Sequence, residues 1–541
     1  MFHQLKPTFV LVLFMRLWLE SHAAPDICSI CSCENSQTYV YCSSRGLTSV
    51  PQAMPLNVEY LDLRFNNIKA MKNGTFQNLS NLTSLYLQDN DINEIETGAF
   101  QNLSSLTTLS LWENNITEIK AETFQNLPSL TNLNLGRNNM KEINEETFRY
   151  LSNLRTLDLT YNNIEKIKEE TFRYLSNLRS LDLSFNKIKE IKKESFRHLS
   201  TLTKLYFQKN DINEIEVGTF QNLPSLMELN FWKNNITEID VGTFQHLSNL
   251  TALNLWGNKI KEINVGSFQN LSSLRTLYLS SNDIKEIKSN TFRNLSSLTE
   301  LGLSSNDIKE IKADTFGNLS SLTDLELQHN NIGNIEERAF HDLTSLRNLN
   351  FWENNITEIK VGTFQHLSSL TTLNLWDNKI KEIKVGTFQN LSSLTTLYLS
   401  ENDIKEIKTY TFRNMSSLKD LVLQNNNIGN IEERAFDDLP SLKNLYLEKN
   451  NITNIEVKAF HDLPSLKKLD LTENKIKKIQ EGNFNGLPSL TYLYLTYNDI
   501  KEIAAGSFRN LSNLKELNLG ANDIKEIKSE TFQNLFSLTK L

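Results

Sequence analysis

An asparagine recurs every 24 residues from Asn66 to Asn522, by way of Asn90, Asn114 and Asn138, twenty times without an insertion or deletion. A phenylalanine keeps the same step from Phe76 to Phe532. Each unit reads L-x-x-L-x-L-x-x-N-x-I-x-x-I, then F, then L-x-x-L; one unit fills these places with Leu106, Leu109, Leu111, Asn114, Ile116, Ile119, Phe124 and Leu127. A fixed period of this length is the signature of stacked repeats. Leu109 and Leu111 are two residues apart, so both point to one face of a short strand, while Thr108, Ser110 and Trp112 point to the other. One such unit is too small to bury its apolar face alone. Stacked units share a core, each touching only its neighbours. The asparagine stands where the chain turns out of the strand, and its amide can bond buried backbone groups there. The phenylalanines form a column filling the far side of the coil.

This arrangement changes what the length means. At roughly 150 residues per domain, 541 residues would suggest three or four domains. Only 9 Pro and 18 Gly are present and no stretch resembles a linker, so the chain reads as one solenoid built from one unit used twenty times. Charges of both signs are mixed throughout, 56 basic against 64 acidic, net −8. No basic patch marks a nucleic-acid binder, and no nucleic-acid partner is expected. His246 and His366, like His341 and His461, sit in paired copies of Q-H-L and H-D-L. Such regularity suits surface residues rather than a catalytic centre. No phosphate-binding loop, nucleophile elbow or metal-ligand cluster occurs. No enzymatic activity, cofactor or metal is expected.

The first segment has His3 and Lys6, an apolar run from Phe9 to Leu19 broken only by Arg16, then Ser21-His22-Ala23-Ala24. This is the layout of a secretory signal over residues 1–23, with cleavage after Ala23. A membrane anchor is the rival reading, but a run of about 11 residues falls short of the roughly 20 that a span needs. No other apolar run is long enough, so no span is expected in the chain as given. Export gives the four cysteines a meaning. Cys28, Cys31, Cys33 and Cys42 read as two disulfides in an oxidising compartment, with three pairings open. A zinc site is disfavoured by the one-residue gap and the lack of a nearby histidine.

These motifs resemble the extracellular leucine-rich repeat family, in its regular 24-residue class. The cysteine segment, followed by Gly46-Leu47-Thr48-Ser49-Val50-Pro51, is similar to that family's disulfide-bonded N-terminal cap. The resemblance implies an α/β solenoid, a horseshoe with a concave parallel β-sheet and a mostly irregular convex side. It also implies pairing of Cys28 with Cys33 and of Cys31 with Cys42. The expected organisation is a signal peptide at 1–23, a cap at 24–57, twenty repeats at 58–537 and the start of a further repeat at 538–541. The sequence stops inside the first strand of a further unit without the family's second, C-terminal cap, which reads as an incomplete chain whose missing segment could hold a cap, a membrane span or a signalling domain. As given, Leu517, Leu519, Ile524, Ile527 and Phe532 are expected to be exposed core.

A longer period lies inside the short one. Trp112, Trp232, Trp256, Trp352 and Trp376 all stand two residues before a ladder asparagine, and Trp112 to Trp232, Trp232 to Trp352 and Trp256 to Trp376 are each 120 residues apart. Residues 231–292 differ from 351–412 at 11 of 62 positions. Lys233 becomes Glu353, Gly257 becomes Asp377 and Ser281 becomes Glu401. The first copy thus presents Lys204, Tyr206, Lys209, Trp232, Lys233, Trp256, Lys259 and Tyr278, an aromatic surface ringed by positive charge. The second presents Trp352, Glu353, Trp376, Asp377 and Tyr398, an aromatic surface with acidic neighbours. With Trp112, these are the candidate partner-binding residues, since exposed aromatic pairs are typical interface anchors. The competing reading is duplication, with the aromatics merely covering the sheet.

Glutamate precedes the second isoleucine in 14 units, often beside lysine, as in Ile284-Lys285-Glu286-Ile287-Lys288. Stacking makes these adjacent columns of opposite sign on a solvated face. Glycan acceptor sequons stand at Asn73, Asn78, Asn81, Asn102, Asn115, Asn235, Asn249, Asn270, Asn294, Asn318, Asn355, Asn390, Asn414, Asn451 and Asn510. The expected protein is secreted or at the cell surface, glycosylated, and binds a macromolecule, a protein foremost, on its concave face. Receptor-like recognition in innate immunity or cell-cell signalling is the leading role, and an extracellular matrix or carrier protein the alternative. The oligomeric state is left open.

Overall fold

The computed structural model describes residues 27–541 apart from Ala53, and the expected leader at 1–23 lies outside the described residues. The described chain forms two compact units, one reaching Ile212 and including Thr219–Leu226, the other comprising Asn213–Gly218 and Met227–Leu541.

The first unit opens with a four-residue helix α1 (Ile27–Ile30) and strand β1 (Ser32–Glu34), antiparallel to β2 (Tyr39–Tyr41). Disulfides join Cys28 to Cys33 and Cys31 to Cys42. Strand β2 then pairs in parallel with β3 (Tyr60–Asp62), which sets the direction of the strands that follow. Leu85, Leu109, Leu133, Leu157, Leu181 and Leu205 lie side by side at a constant offset of one unit. The second unit repeats this arrangement from Glu228–Asn230 to Glu516–Asn518. Both units are parallel-sheet solenoids with almost no helix.

The alternation in sequence sets the burial. In Ala252–Asn254 the central Leu253 is buried and its two neighbours are half-exposed on the other face. Behind the sheet the phenylalanines stack: from Phe244 to Phe460 successive ring centroids lie 5.7 to 6.5 Å apart. The ladder asparagines hold the strand exits. Asn282 Nδ2 donates to the carbonyls of Leu279 in its own turn (3.0 Å) and Leu255 in the preceding one (3.0 Å). Its Oδ1 accepts from the Ile260 amide (3.0 Å). Asn66 makes the equivalent bonds into the cap, donating to the Cys42 carbonyl and accepting from Arg45 and Leu47.

One expectation about the far end is corrected. Leu517 is buried, because its amide donates to the Lys540 carbonyl and the last residues lie against its strand. Leu519, Ile524 and Phe532 are half-buried, and of the five named residues only Ile527 is exposed; Phe536, not foreseen, is 85% exposed.

Candidate partner-binding face

Four side-chain columns define the outer face of the sheet, standing six, four, two and one places before each ladder asparagine. The first two alternate outward from the strand. The third holds the tryptophans. The fourth has a backbone peculiarity: in all twenty turns its residue has a positive φ, for example 54° at Lys233, 70° at Gly257, 55° at Glu353 and 51° at Asp377. The chain turns out of the strand there while the amide still bonds the next turn, as Lys233 N does to Trp256 O at 2.9 Å. A left-handed backbone is hard on β-branched residues, and this column contains no Val, Ile or Thr. Residue choice along the rim is therefore restricted by backbone geometry before any partner is considered. Lys233→Val is expected to lower stability by about 1–2 kcal/mol, and Lys233→Gly to be neutral or stabilising. Urea unfolding of the two variants checks this, and equal stabilities would refute it.

In the second unit Trp232 stacks on Trp256 with ring centroids 5.5 Å apart and planes 19° apart. Trp352 and Trp376 repeat this at 5.5 Å and 23°. The tryptophans are half-buried rather than exposed, because each ring covers its neighbour. Lys233 Nζ lies 5.0 Å from the Trp232 ring and 5.4 Å from that of Trp256, so its charge caps the pair. Around the second pair the sign reverses. His329 packs against Trp352 at 4.5 Å, and its Nδ1 lies 2.8 Å from Glu353. Asp377 is exposed beside Trp376.

Other candidates divide. Tyr278 joins the first pair in one shallow hollow, and its hydroxyl donates to Glu300 at 2.8 Å. Burial first, then the Glu300 carboxylate, push its pKa up to about 12, so it stays a donor at neutral pH. Tyr398 lines a neighbouring hollow. Among the described residues, no ion pair or ring contact joins Lys259 to the tryptophans, and it stands one place past Asn258, outside the four columns. Lys204, Tyr206 and Lys209 belong to the first unit, where Lys209 lies 4.7 Å from the Phe185 ring. Trp112, also in the first unit, faces Arg137 at 5.4 Å, which in turn pairs with Glu113 at 3.0 Å. Gly136 makes room for that ring: a Cβ there would fall 2.7 Å from Trp112 Cδ1.

Two aromatic clusters are not among the residues the sequence singles out. Tyr60 touches Tyr39, Tyr41 and Tyr86 at 5.6, 5.4 and 5.2 Å. Lys468 lies between the rings of Tyr446 and Tyr494, at 4.6 and 5.2 Å. Aligning the units by column would have found the second. The first depends on the register between β2 and β3, which no repeat sets.

The sequons also gain a structural account. Twelve of the fifteen asparagines are exposed, and Asn235, Asn355 and Asn451 are half-buried. Six of them, Asn78, Asn102, Asn270, Asn318, Asn390 and Asn414, have φ between 64° and 69°. Asn126 has φ 70° at the same place but is followed by Leu-Pro and forms no sequon. Asparagine tolerates the left-handed region well, so the turn itself selects it, glycan or not.

Among the described residues, no helix is long and apolar enough to cross a membrane and no group of His, Cys, Asp and Glu is placed to hold a metal. A family model described as BspA type leucine rich repeat region (6 copies) matches in overlapping segments that together run over residues 69–443. A second, described as leucine rich repeat, matches 440–500 and 492–541. The chain belongs to the leucine-rich repeat family. Solenoids of this family are typically non-enzymatic binding scaffolds. Human leucine-rich repeat-containing protein 4 is 46% identical over 66 residues, 12% of this chain and 10% of that protein. Mouse chondroadherin-like protein is 41% identical over 83 residues, 15% and 11% of the two chains. The matched stretches thus span about a tenth of these relatives' length. Among solved structures, Drosophila Toll in complex with Spatzle is similar at 19% identity and TM-score 0.67, over 89% of this chain and 77% of that one. The plant peptide hormone receptor RGFR1 in complex with RGF2 follows at 20% and 0.57, over 90% and 85%. At these identities the likeness speaks to the fold alone.

Proposed function

We propose that this family member is an exported, glycosylated recognition protein that holds a macromolecular partner, a protein foremost, on the outer face of its sheet. The observation that carries the reading is the pair of tryptophan stacks at Trp232/Trp256 and Trp352/Trp376, with opposite charges beside them. A scaffold needing only cover for its sheet has no use for a large aromatic body on rigid backbone, which is what anchors interfaces. The two disulfides suit an oxidising compartment, in keeping with export by residues 1–23 ahead of a cap at 24–57, the repeats at 58–537 and the start of a further repeat at 538–541. Two similar folds were solved with ligands, Toll with Spatzle and RGFR1 with RGF2, and they support a receptor-like role in immunity or cell-cell signalling. The test is affinity capture from extracellular fluid and cell-surface extracts with the wild-type chain and with Trp232→Ala/Trp256→Ala and Trp352→Ala/Trp376→Ala. The expected result is a specific protein whose affinity drops about 30-fold or more in at least one double variant, the size of a hot-spot loss. Unchanged affinity in both would sink the reading.

A further inference from the structure

Between the two tryptophan pairs the sheet face of the second unit is low and acidic. Trp256 and Trp352 are four turns apart, about 19 Å at about 4.8 Å per strand. The turns between them carry Ser280, Ser304 and Gln328 in the tryptophan column, so the floor lies below the flanking rings. Gly302 deepens it: a Cβ there would sit 3.0 Å from Ser280 Oγ and 3.1 Å from Tyr278 Cδ1. Two hollows meet at Glu326, one reaching back to Trp232 and Trp256, the other running on to Tyr398.

The charge on this face is one-sided. In the four outward columns, the eight turns from Ala252 to Asn425 hold Glu300, Asp324, Glu326, Glu353, Asp377, Glu401 and Asp420, and no lysine or arginine. Elsewhere the protein matches its signs: Glu286, Glu358 and Glu382 pair with Lys312, Lys384 and Lys408 at 2.5, 2.5 and 2.6 Å. On the floor, Glu300 accepts from Tyr278, and Asp324 accepts from Thr323 and Asn348, both at 2.6 Å. Among the described residues no basic side chain comes within 4.0 Å of Glu300, Asp324 or Glu326. Glu300 and Asp324 are oriented by neutral donors, and the charge of all three carboxylates remains uncompensated.

Resting on the binding-face reading above, we propose that this trough takes an extended basic segment of a protein partner. Arginine or lysine side chains lie over Glu300, Asp324 and Glu326, and apolar side chains rest on the tryptophan pairs at either end. A guanidinium suits the site doubly, since it pairs with carboxylates in a planar fork and stacks on aromatic faces. A polyanion is repelled by the same field.

The probes are two labelled peptides of about twelve residues, one alternating arginine with leucine and serine, the other with glutamate in place of arginine. Anisotropy titrations at about 0.15 M salt, where long-range attraction is screened, compare the wild-type chain with two variants. Glu300→Gln/Asp324→Asn/Glu326→Gln removes the floor charges, and Glu286→Gln/Glu358→Gln/Glu382→Gln removes as many from the paired face. The arginine peptide is expected to bind the wild type about tenfold or more tighter than the glutamate peptide. It should lose about tenfold or more on the floor variant and less than about twofold on the other. Equal losses on both variants, similar affinity for both peptides, or no binding of the arginine peptide overturns the proposal. If a captured partner depends on the tryptophans while the arginine peptide ignores the floor carboxylates, the binding face stands and the basic chemistry falls.

Discussion

Asn282→Ala is expected to destabilise the second unit by about 3 kcal/mol or more. The substitution leaves the Ile260 amide without its buried partner and removes one of two asparagine donors from the Leu255 and Leu279 carbonyls, which keep Asn258 and Asn306. The orphaned amide costs about 1–3 kcal/mol, and each of the two lost carbonyl hydrogen bonds about 1 kcal/mol. Asn282→Asp is the informative companion, because it keeps the acceptor for Ile260 and places a carboxylate against two carbonyls. Burial and those carbonyls raise its folded pKa above the unfolded one. The folded state then binds more protons, so the variant should be most stable below the unfolded pKa and lose stability as pH rises through the folded one. Urea unfolding at several pH values measures both. An alanine variant within about 1 kcal/mol of wild type would show that the ladder is not structural.

Phe316→Ala is the second large effect, about 3–5 kcal/mol for emptying a buried aromatic site. Phe316 is 1% exposed and stacks on Phe292 at 6.3 Å and on Phe340 at 5.9 Å. Because each turn touches only its neighbours, the damage should be local. Hydrogen exchange is expected to accelerate at amides of the turns around Leu301 and Leu325 and to stay slow around Leu445 and Leu469. Uniform acceleration along the unit would refute nearest-neighbour coupling.

The two variants probe what was legible from the repeat. Asn282 and Phe316 could be assigned their roles from spacing alone, since a period of 24 brings identical residues into register and leaves their chemistry little choice. The face was less legible. Spacing makes Trp232 and Trp256 neighbours, but their half-burial comes from mutual stacking, and Lys259, a candidate by its charge and position, stands outside the outward columns. Leu517 was expected to be exposed, yet the last residues cover it. The cap tyrosines are not legible from the repeat because β2 lies outside it.

Sequence alone therefore determined the solenoid, its parallel sheet, its asparagine ladder and its phenylalanine column, because one short unit repeated without a slip transmits its register to every neighbour. Only the tertiary structure decided which variable residues share the outer face and how they meet there. Glu300, Asp324 and Glu326 are ordinary acidic residues along the chain. Stacking sets them on one surface without a lysine or arginine beside them, and places that surface between two walls of tryptophan.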